Sequence, residues 1–341
     1  MSSLNFEIVD VFSDVPFKGN PLAVVDATTS TLTTTQMQLI ARQFNLSETT
    51  FVLPVAQDKA DARLRSFLPD GREVFGAGHN ILGAWWHLAQ SGKLESKRAS
   101  PQSVDGIEET TVYQELGQDV TSLKIQRGNL VSASGRDGIQ VVLRQAQPKL
   151  HAYHPDLASL AEAVGILEQD IGWSLQSAEA TRALQPQVLS TSTTHHLLVP
   201  LASTEALNRV GVRREKLLAQ LKIADERAHG IFFFARAGAD TYEARFFSPS
   251  MSGEDPATGS AAGPLSAYLY KHGALNIKGG KGEITVRQGL KVGRECVIRV
   301  VLHVSEDNHL EVDLVGAGVQ VVKGSIVTPN PSTAFQTSLQ E

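Results

Sequence analysis

Two stretches of this chain repeat one another at a fixed separation. Arg65-Ser66-Phe67-Leu68-Pro69 runs on to Gly78-His79 and Gly83, and Arg245-Phe246-Phe247-Ser248-Pro249 runs on to Gly259-Ser260 and Gly263. Arg65 and Arg245, Phe67 and Phe247, Pro69 and Pro249, and Gly83 and Gly263 all stand 180 positions apart, about half of the 341 residues. Each copy then enters an apolar stretch with helical periodicity. Self-similarity at half-length predicts a duplicated fold whose halves face one another. A cleft between two such halves is a natural binding site.

Patterning within each half gives the fold class. Runs rich in strand formers predict strands at residues 6–12, 22–25, 49–54, 62–67, 121–126 and 140–144. Further runs fall at 188–199, 231–235, 242–247, 283–288, 297–304 and 310–322. Helical spacing predicts helices at 33–44, with Thr33 or Thr34 as N-cap, and at 80–90, 157–164, 213–223 and 260–272. The helices at 80–90 and 260–272 have broad apolar faces and so belong in a core. Residues 99–117 read as polar and irregular. The order lacks the steady strand–helix alternation of a doubly wound sheet. The expectation is an α+β protein of two pseudo-symmetric domains, each a rolled, mostly antiparallel sheet around a central helix. The glycine- and serine-containing stretch 128–138 places the boundary, giving halves at 1–130 and 131–327 and a tail at 328–341.

Composition narrows the partners. A net charge of −5 argues against nucleic acid, whose phosphates demand a basic surface. No apolar run reaches the roughly 20 residues that span a bilayer. Residues 1–5 lack the basic and apolar regions of a signal peptide. The single cysteine, Cys296, excludes an internal disulfide, and the expected compartment is the cytoplasm.

A few constellations could carry chemistry. Gly253-Glu254-Asp255-Pro256-Ala257-Thr258-Gly259-Ser260 starts a helix, and by itself Asp255 reads equally well as an N-cap. The small residues that follow leave backbone N–H groups uncovered at the helix start, where a carboxylate or phosphate binds. Gly76-Ala77-Gly78-His79 opens the matching helix, so the two helix starts are expected to point into one cleft. His79 there suits a proton donor or acceptor. Ser47-Glu48-Thr49 puts a glutamate at a strand start. From local physics Glu48 reads first as a solvent-facing strand end, and second as a general base or acid. Asn20, in Lys18-Gly19-Asn20-Pro21, is equally a plain turn residue or a group orienting a substrate. His195 and His196 are adjacent on a strand, point to opposite faces, and so cannot chelate one ion together. No HExxH, CxxC, GxSxG or P-loop spacing occurs.

Taken together these segments resemble the phenazine-biosynthesis PhzF-like isomerase family. The likeness is carried by Val9 to Phe12 with Phe17 to Pro21, Leu46 to Phe51, Arg65 to Pro69 with Glu73-Val74 and Gly78-His79, Arg245 through Ser260, and Val286 to Gly289 with Gly293-Arg294. The resemblance implies a diaminopimelate epimerase-like fold and an isomerase without metal or organic cofactor, usually a homodimer. It implies that Glu48 moves the proton, that His79 and Asp255 support it, and that Gly78, Gly259 and Ser260 contact a substrate carboxylate. Phe75-Gly76-Ala77 and Asn80-Ile81 flank Gly78-His79 where the family often has Pro-Phe-Cys or Pro-Phe-Ala and Ala-Thr, which predicts a different pocket wall. One cysteine excludes racemisation by two thiols. The expected function is a proton shift on a small carboxylate-bearing metabolite in the inter-domain cleft. Epimerisation, elimination or cyclisation by the same glutamate is the nearest alternative, and a non-catalytic small-molecule binder the next.

Overall fold

A helix that is apolar on every side must be covered on every side, and both halves of the chain meet that demand with a rolled sheet. The computed structural model describes residues 2–75, 78–94, 102–104, 106–128, 138–176, 181–191, 194–251 and 253–335. Gly76, Ala77, most of the expected boundary and the end of the tail lie outside these residues. The chain divides into two units, residues 1–143 with 316–341, and residues 144–315.

Unit 1 runs β1 (Ser3–Val11), β2 (Asn20–Asp26), α1 (Thr34–Phe44), β3 (Glu48–Leu53), β4 (Ala62–Phe67), β5 (Glu73–Val74), α2 (Gly78–Gln90), β6 (Gln102–Val104), β7 (Ile107–Leu116), β8 (Asp119–Gly128) and most of β9 (Gly138–Gln145). A final strand, Gly318–Val327, returns to pair antiparallel with β1. From that strand through β1, β2, β3, β4, β7, β8 and β9, all neighbours are antiparallel except the β2–β3 and β4–β7 pairs. Parallel neighbours need a crossover, and the two crossovers contain α1 and α2.

Unit 2 runs β10 (Lys149–Tyr153), α3 (Leu157–Val164), β11 (Ser174–Gln176), β12 (Thr181–Ala183), β13 (Gln187–Thr191), β14 (Thr194–Leu201), α4 (Thr204–Arg209), α5 (Arg214–Ala224), β15 (Gly230–Arg236), β16 (Thr241–Phe247), β17 (Glu254–Asp255), α6 (Gly259–Lys271), β18 (Lys281–Gln288), β19 (Cys296–Val304) and β20 (Leu310–Gly316). The order β10-β13-β14-β15-β16-β18-β19-β20 has its parallel pairs at β14–β15 and β16–β18. That is the same succession of pairings as in unit 1. The α+β fold of two rolled, mostly antiparallel sheets around central helices therefore holds.

The central helices are enclosed. Every α2 residue from Gly78 to Ala89 is buried, and α2 packs against β1, β2, β3, β8 and the final strand. In α6 only Ser260, Tyr270 and Lys271 are not buried. The other helices cover outer faces: Met37, Ile40 and Ala41 of α1 pack with Phe51 and Phe67, and Leu217 and Leu221 of α5 with Leu160, Ile231 and Phe233.

Three expectations from the sequence change. Residues 102–104 and 107–116 form strands rather than an irregular stretch; β7 buries Val112 and Gln114, and the Gln114 side chain accepts a hydrogen bond from Trp85 Nε1 at 2.9 Å. The expected strand at 310–322 is two strands, broken at Ala317, because Gly318 onward pairs with β1. For the same reason that strand lies with the first half rather than within 131–327.

The repeated Arg-X-Phe-X-Pro motif has one job in both units. Arg65 on β4 pairs with Glu73 on β5 at 2.6 Å, and Arg245 on β16 pairs with Glu254 on β17 at 2.7 Å. Each guanidinium also lies 5.0 Å from the ring of the following phenylalanine, Phe67 or Phe247. The pairs pin the short strand that feeds each central helix. Glu73 and Glu254 are 181 positions apart, as are the helix starts Gly78 and Gly259, so unit 2 carries one extra residue in this connection. Gly83 and Gly263, at 180, therefore occupy neighbouring rather than equivalent helix positions.

The second pair is the drier one, with side-chain exposures of 13% and 5% against 20% and 22%. Removing one partner of a buried pair strands a charge, at a cost of about 3–5 kcal/mol. Glu254→Ala is expected to lower stability by that amount and Glu73→Ala by clearly less, measured by urea unfolding.

Unit 2 also buries imidazoles. The pKa of His196 is held well below the usual histidine value, first by burial and then by the nearby His229 and His195. His151, His154 and His229 shift the same way, burial again leading. Above the unfolded-chain value of about 6.5 these groups are neutral in both states. Below it only the unfolded chain takes up protons, so stability present at neutral pH is lost on acidification. Buried His196, held well below the usual value, takes the largest share of this loss, on the order of 1 kcal/mol between about pH 7.5 and 5.5. Urea unfolding of the wild type should show the fall, and His196→Gln should remove that share of it.

Candidate active site

In unit 1 the site begins with the end of α1. Thr33 and Gln36 form a capping box at its start, and Asn45 closes it in the left-handed region at φ 51°. The chain then bends through Leu46 and Ser47 and enters β3 at Glu48, the register partner of Leu22 on the parallel strand β2. Asn20 starts β2 two residues before Leu22 and is fully buried. The turn before it needs Gly19, at φ +83°, where a Cβ would meet the Val11 carbonyl at 2.6 Å. Asp10 holds the same turn by accepting from the Phe17 N–H at 2.7 Å.

His79, the second residue of α2, places Nε2 3.0 Å from Glu48 Oε2. Both side chains are largely buried, 8% exposed for His79 and 13% for Glu48. A carboxylate and an imidazole in contact, in a place that water barely reaches, form an acid–base pair. The competing view of Glu48 as a solvent-facing strand end does not hold. Phe75, three residues before the helix, is exposed.

In unit 2, Asp255, Gly259 and Ser260 gather at the start of α6. Asp255 is not the N-cap of α6, a place that falls to Thr258; it braces the turn that leads into the helix. Its Oδ2 accepts from Thr258 Oγ1 at 2.6 Å, its Oδ1 from the Ala257 N–H at 3.4 Å, and its backbone carbonyl from Gln288 Nε2 at 2.8 Å. Gln288 Oε1 in turn accepts from the Thr258 N–H at 3.0 Å. Gln288 is fully buried, so one side chain clamps both ends of the Asp255–Thr258 turn. Gly289 makes this possible: at φ +80° its Cβ would meet Arg294 and Pro256 carbonyls at 2.2 and 2.8 Å. In the sequence the Gln288-Gly289 segment carries part of the family likeness but no role of its own. Its signal was a glycine beside a polar residue ending a strand. Ser260 Oγ lies 3.0 Å from His196 Nε2.

Sheet register identifies the counterpart of Glu48 in unit 2. Phe51 pairs with Arg65 and Phe233 with Arg245, which sets β3 and β15 182 positions apart. Glu48 therefore matches Gly230, each the first residue of its strand, rather than Ala228, the residue 180 positions on. Among the described residues no group of three or more His, Cys, Asp or Glu side chains could hold a metal ion, and no helix is long and apolar enough to cross a membrane.

The chain matches the family described as phenazine biosynthesis-like protein over residues 9–324. It is 31% identical to the trans-2,3-dihydro-3-hydroxyanthranilate isomerase of Pseudomonas chlororaphis over 325 residues, covering 95% of this chain and 99% of that one. Its fold matches the Bacillus anthracis phenazine biosynthesis protein of the PhzF family with a TM-score of 0.76 and 25% identity, covering 96% of this chain and 100% of the other. A probable proline racemase from Agrobacterium radiobacter shares the fold at a TM-score of 0.56 and 11% identity, over 96% of this chain and 94% of that one. Matched along nearly its whole length by family and by fold, the chain belongs to the phenazine biosynthesis-like PhzC-PhzF family and is an isomerase.

Proposed function

We propose that the chain shifts a proton within a small carboxylate-bearing metabolite, with Glu48 as both general base and general acid and no organic cofactor or metal taking part. The observation that supports this most directly is the 3.0 Å contact between the Glu48 carboxylate and His79 at the start of α2. In the proposed reaction ionised Glu48 takes a proton from an acidic C–H of the substrate. The C–H electron pair enters the adjoining π system, and Glu48 becomes a carboxylic acid. Glu48 then returns the proton to another carbon of that system, the double bond moves, and the carboxylate is restored. His79 orients Glu48, and Asn20 orients the substrate from the same end of unit 1. Asp255 keeps the α6 start in shape through Thr258, and Gly78, Gly259 and Ser260 supply donors to the substrate carboxylate and to charge developing on it.

The compound named for the Pseudomonas chlororaphis relative, trans-2,3-dihydro-3-hydroxyanthranilate, is the first substrate to offer. In D₂O any solvent deuterium in the product, taken up when the proton held by Glu48 exchanges before its return, is expected at the carbon that gains the proton. Glu48→Gln keeps the shape and removes the base, and kcat should drop by roughly 10²–10⁴-fold. Turnover by Glu48→Gln at the wild-type rate would overturn the assignment. Deuterium found at the carbon that lost its proton would point to epimerisation instead.

A further inference from the structure

The two adjacent histidines of β14 are not used by the reaction above, and the fold separates them. The His195 ring lies 5.2 Å from that of His151, whereas His196 turns to α6 and is 3% exposed. His196 Nε2 meets Ser260 Oγ at 3.0 Å. Its other nitrogen, Nδ1, is buried and has no hydrogen-bond partner among the described residues. The rings of His229 and Phe246 pack against the imidazole at 4.7 and 5.0 Å. Gly230, the register partner of His196, makes room for this arrangement: a Cβ there would stand 2.1 Å from the Phe246 ring and 3.2 Å from Nδ1.

These contacts select a tautomer. Burial keeps the imidazole neutral, so one nitrogen carries hydrogen and the other a lone pair. An orphaned N–H is rarer and costlier in a protein interior than an orphaned acceptor. Nδ1, with no partner, is therefore the bare nitrogen, and Nε2–H donates to Ser260 Oγ. A serine that accepts this bond keeps its own O–H to give elsewhere. Ser260 is only half-buried, and it sits in the first turn of α6, whose leading N–H groups lack intrahelical acceptors.

We propose that His196 is a positioning residue that commits the Ser260 hydroxyl to donate to the substrate carboxylate. The proposal rests on the reading that this helix start binds a carboxylate. It completes a contrast between the halves. By helix register Ser260 is the counterpart of His79, and by strand register Gly230 is the counterpart of Glu48. One helix start holds an acid–base pair and the other a set of donors.

The test uses the full chain. In ¹⁵N-labelled protein near neutral pH, long-range ¹H–¹⁵N spectra, with the His196 signal assigned by its loss in His196→Gln, should show the neutral Nε2–H form. The Nδ1–H form would overturn the proposal, because the Ser260 proton would then be spent on the histidine. Binding is measured by calorimetry with 3-hydroxyanthranilate and with 2-aminophenol, which lacks the carboxylate. Ser260→Ala and His196→Phe should each weaken 3-hydroxyanthranilate about tenfold and leave 2-aminophenol unchanged, the loss of one hydrogen bond to a charged group. The double variant should be no worse than Ser260→Ala, and His196→Gln, whose amide can still donate, should restore most of the affinity. Wild-type affinity in His196→Phe, with Ser260→Ala impaired, would overturn the role of His196 alone. A wild-type chain that binds both compounds equally well would overturn the carboxylate reading beneath it.

Discussion

Each unit of this protein is organised by a helix that no face can leave exposed. Wrapping α2 and α6 in sheet satisfies their apolar side chains but not their first-turn N–H groups, which a buried helix must pair with something other than bulk water. The surrounding chain supplies polar groups at those points. In unit 1, β3 begins with Glu48 beside His79. In unit 2, β17 ends at Asp255, and Gln288 reaches from the end of β18 to bind the turn that leads into α6. The arginine–glutamate pairs set how that turn arrives. Polar groups collect at the helix starts because burying the helices leaves donors there, and on the proposed reading the chemistry uses what the fold requires.

The repeat preserves backbone and varies side chains. The same succession of pairings recurs, yet the separation of equivalent residues drifts from 182 in β3 and β15 to 180 in β4 and β16 and 181 at the helix starts. Small insertions in connections absorb this drift without disturbing the sheet. The volume at an equivalent point can also be reassigned. Where unit 1 has Glu48, unit 2 has Gly230, and the space goes to Phe246 and His196. A close-packed interior permits such an exchange only when the neighbours take up the volume given away.

What could be read from the sequence were the features with strong local signals. The α3 span was legible to the residue, because Asp156 before an apolar run and Gly165 after it are an N-cap and a left-handed C-cap. The paired buried helices were legible because they are apolar all round. β7 was not, because Glu108, Glu109 and Glu115 broke its apolar pattern; Glu115 is in fact buried and accepts from the Ala56 and Gln57 N–H groups at 2.9 and 3.1 Å. The return of the last strand to β1 was hidden because long-range pairing leaves little local trace. Glu48 and His79 could be picked out singly, but their contact spans 31 positions and is made by the fold. The clamp from Gln288 and the turn of His196 toward Ser260 are of the same kind.

The asymmetry of the helix starts bears on the stereochemistry of proton transfer. Inverting a centre requires one group to remove a proton from one face while another delivers to the opposite face. The position equivalent to Glu48 in unit 2 is glycine, and the polar pair beside it is a serine with a neutral imidazole. Asp255 has both carboxylate oxygens engaged in the turn it braces. On the proposed reading, only Glu48 stands ready to take a proton. A lone base gives the proton back to the face from which it came, so the net result is displacement along the substrate rather than inversion. On that reading the duplicated scaffold, with its acid–base pair on one helix start and donors on the other, favours isomerisation over inversion.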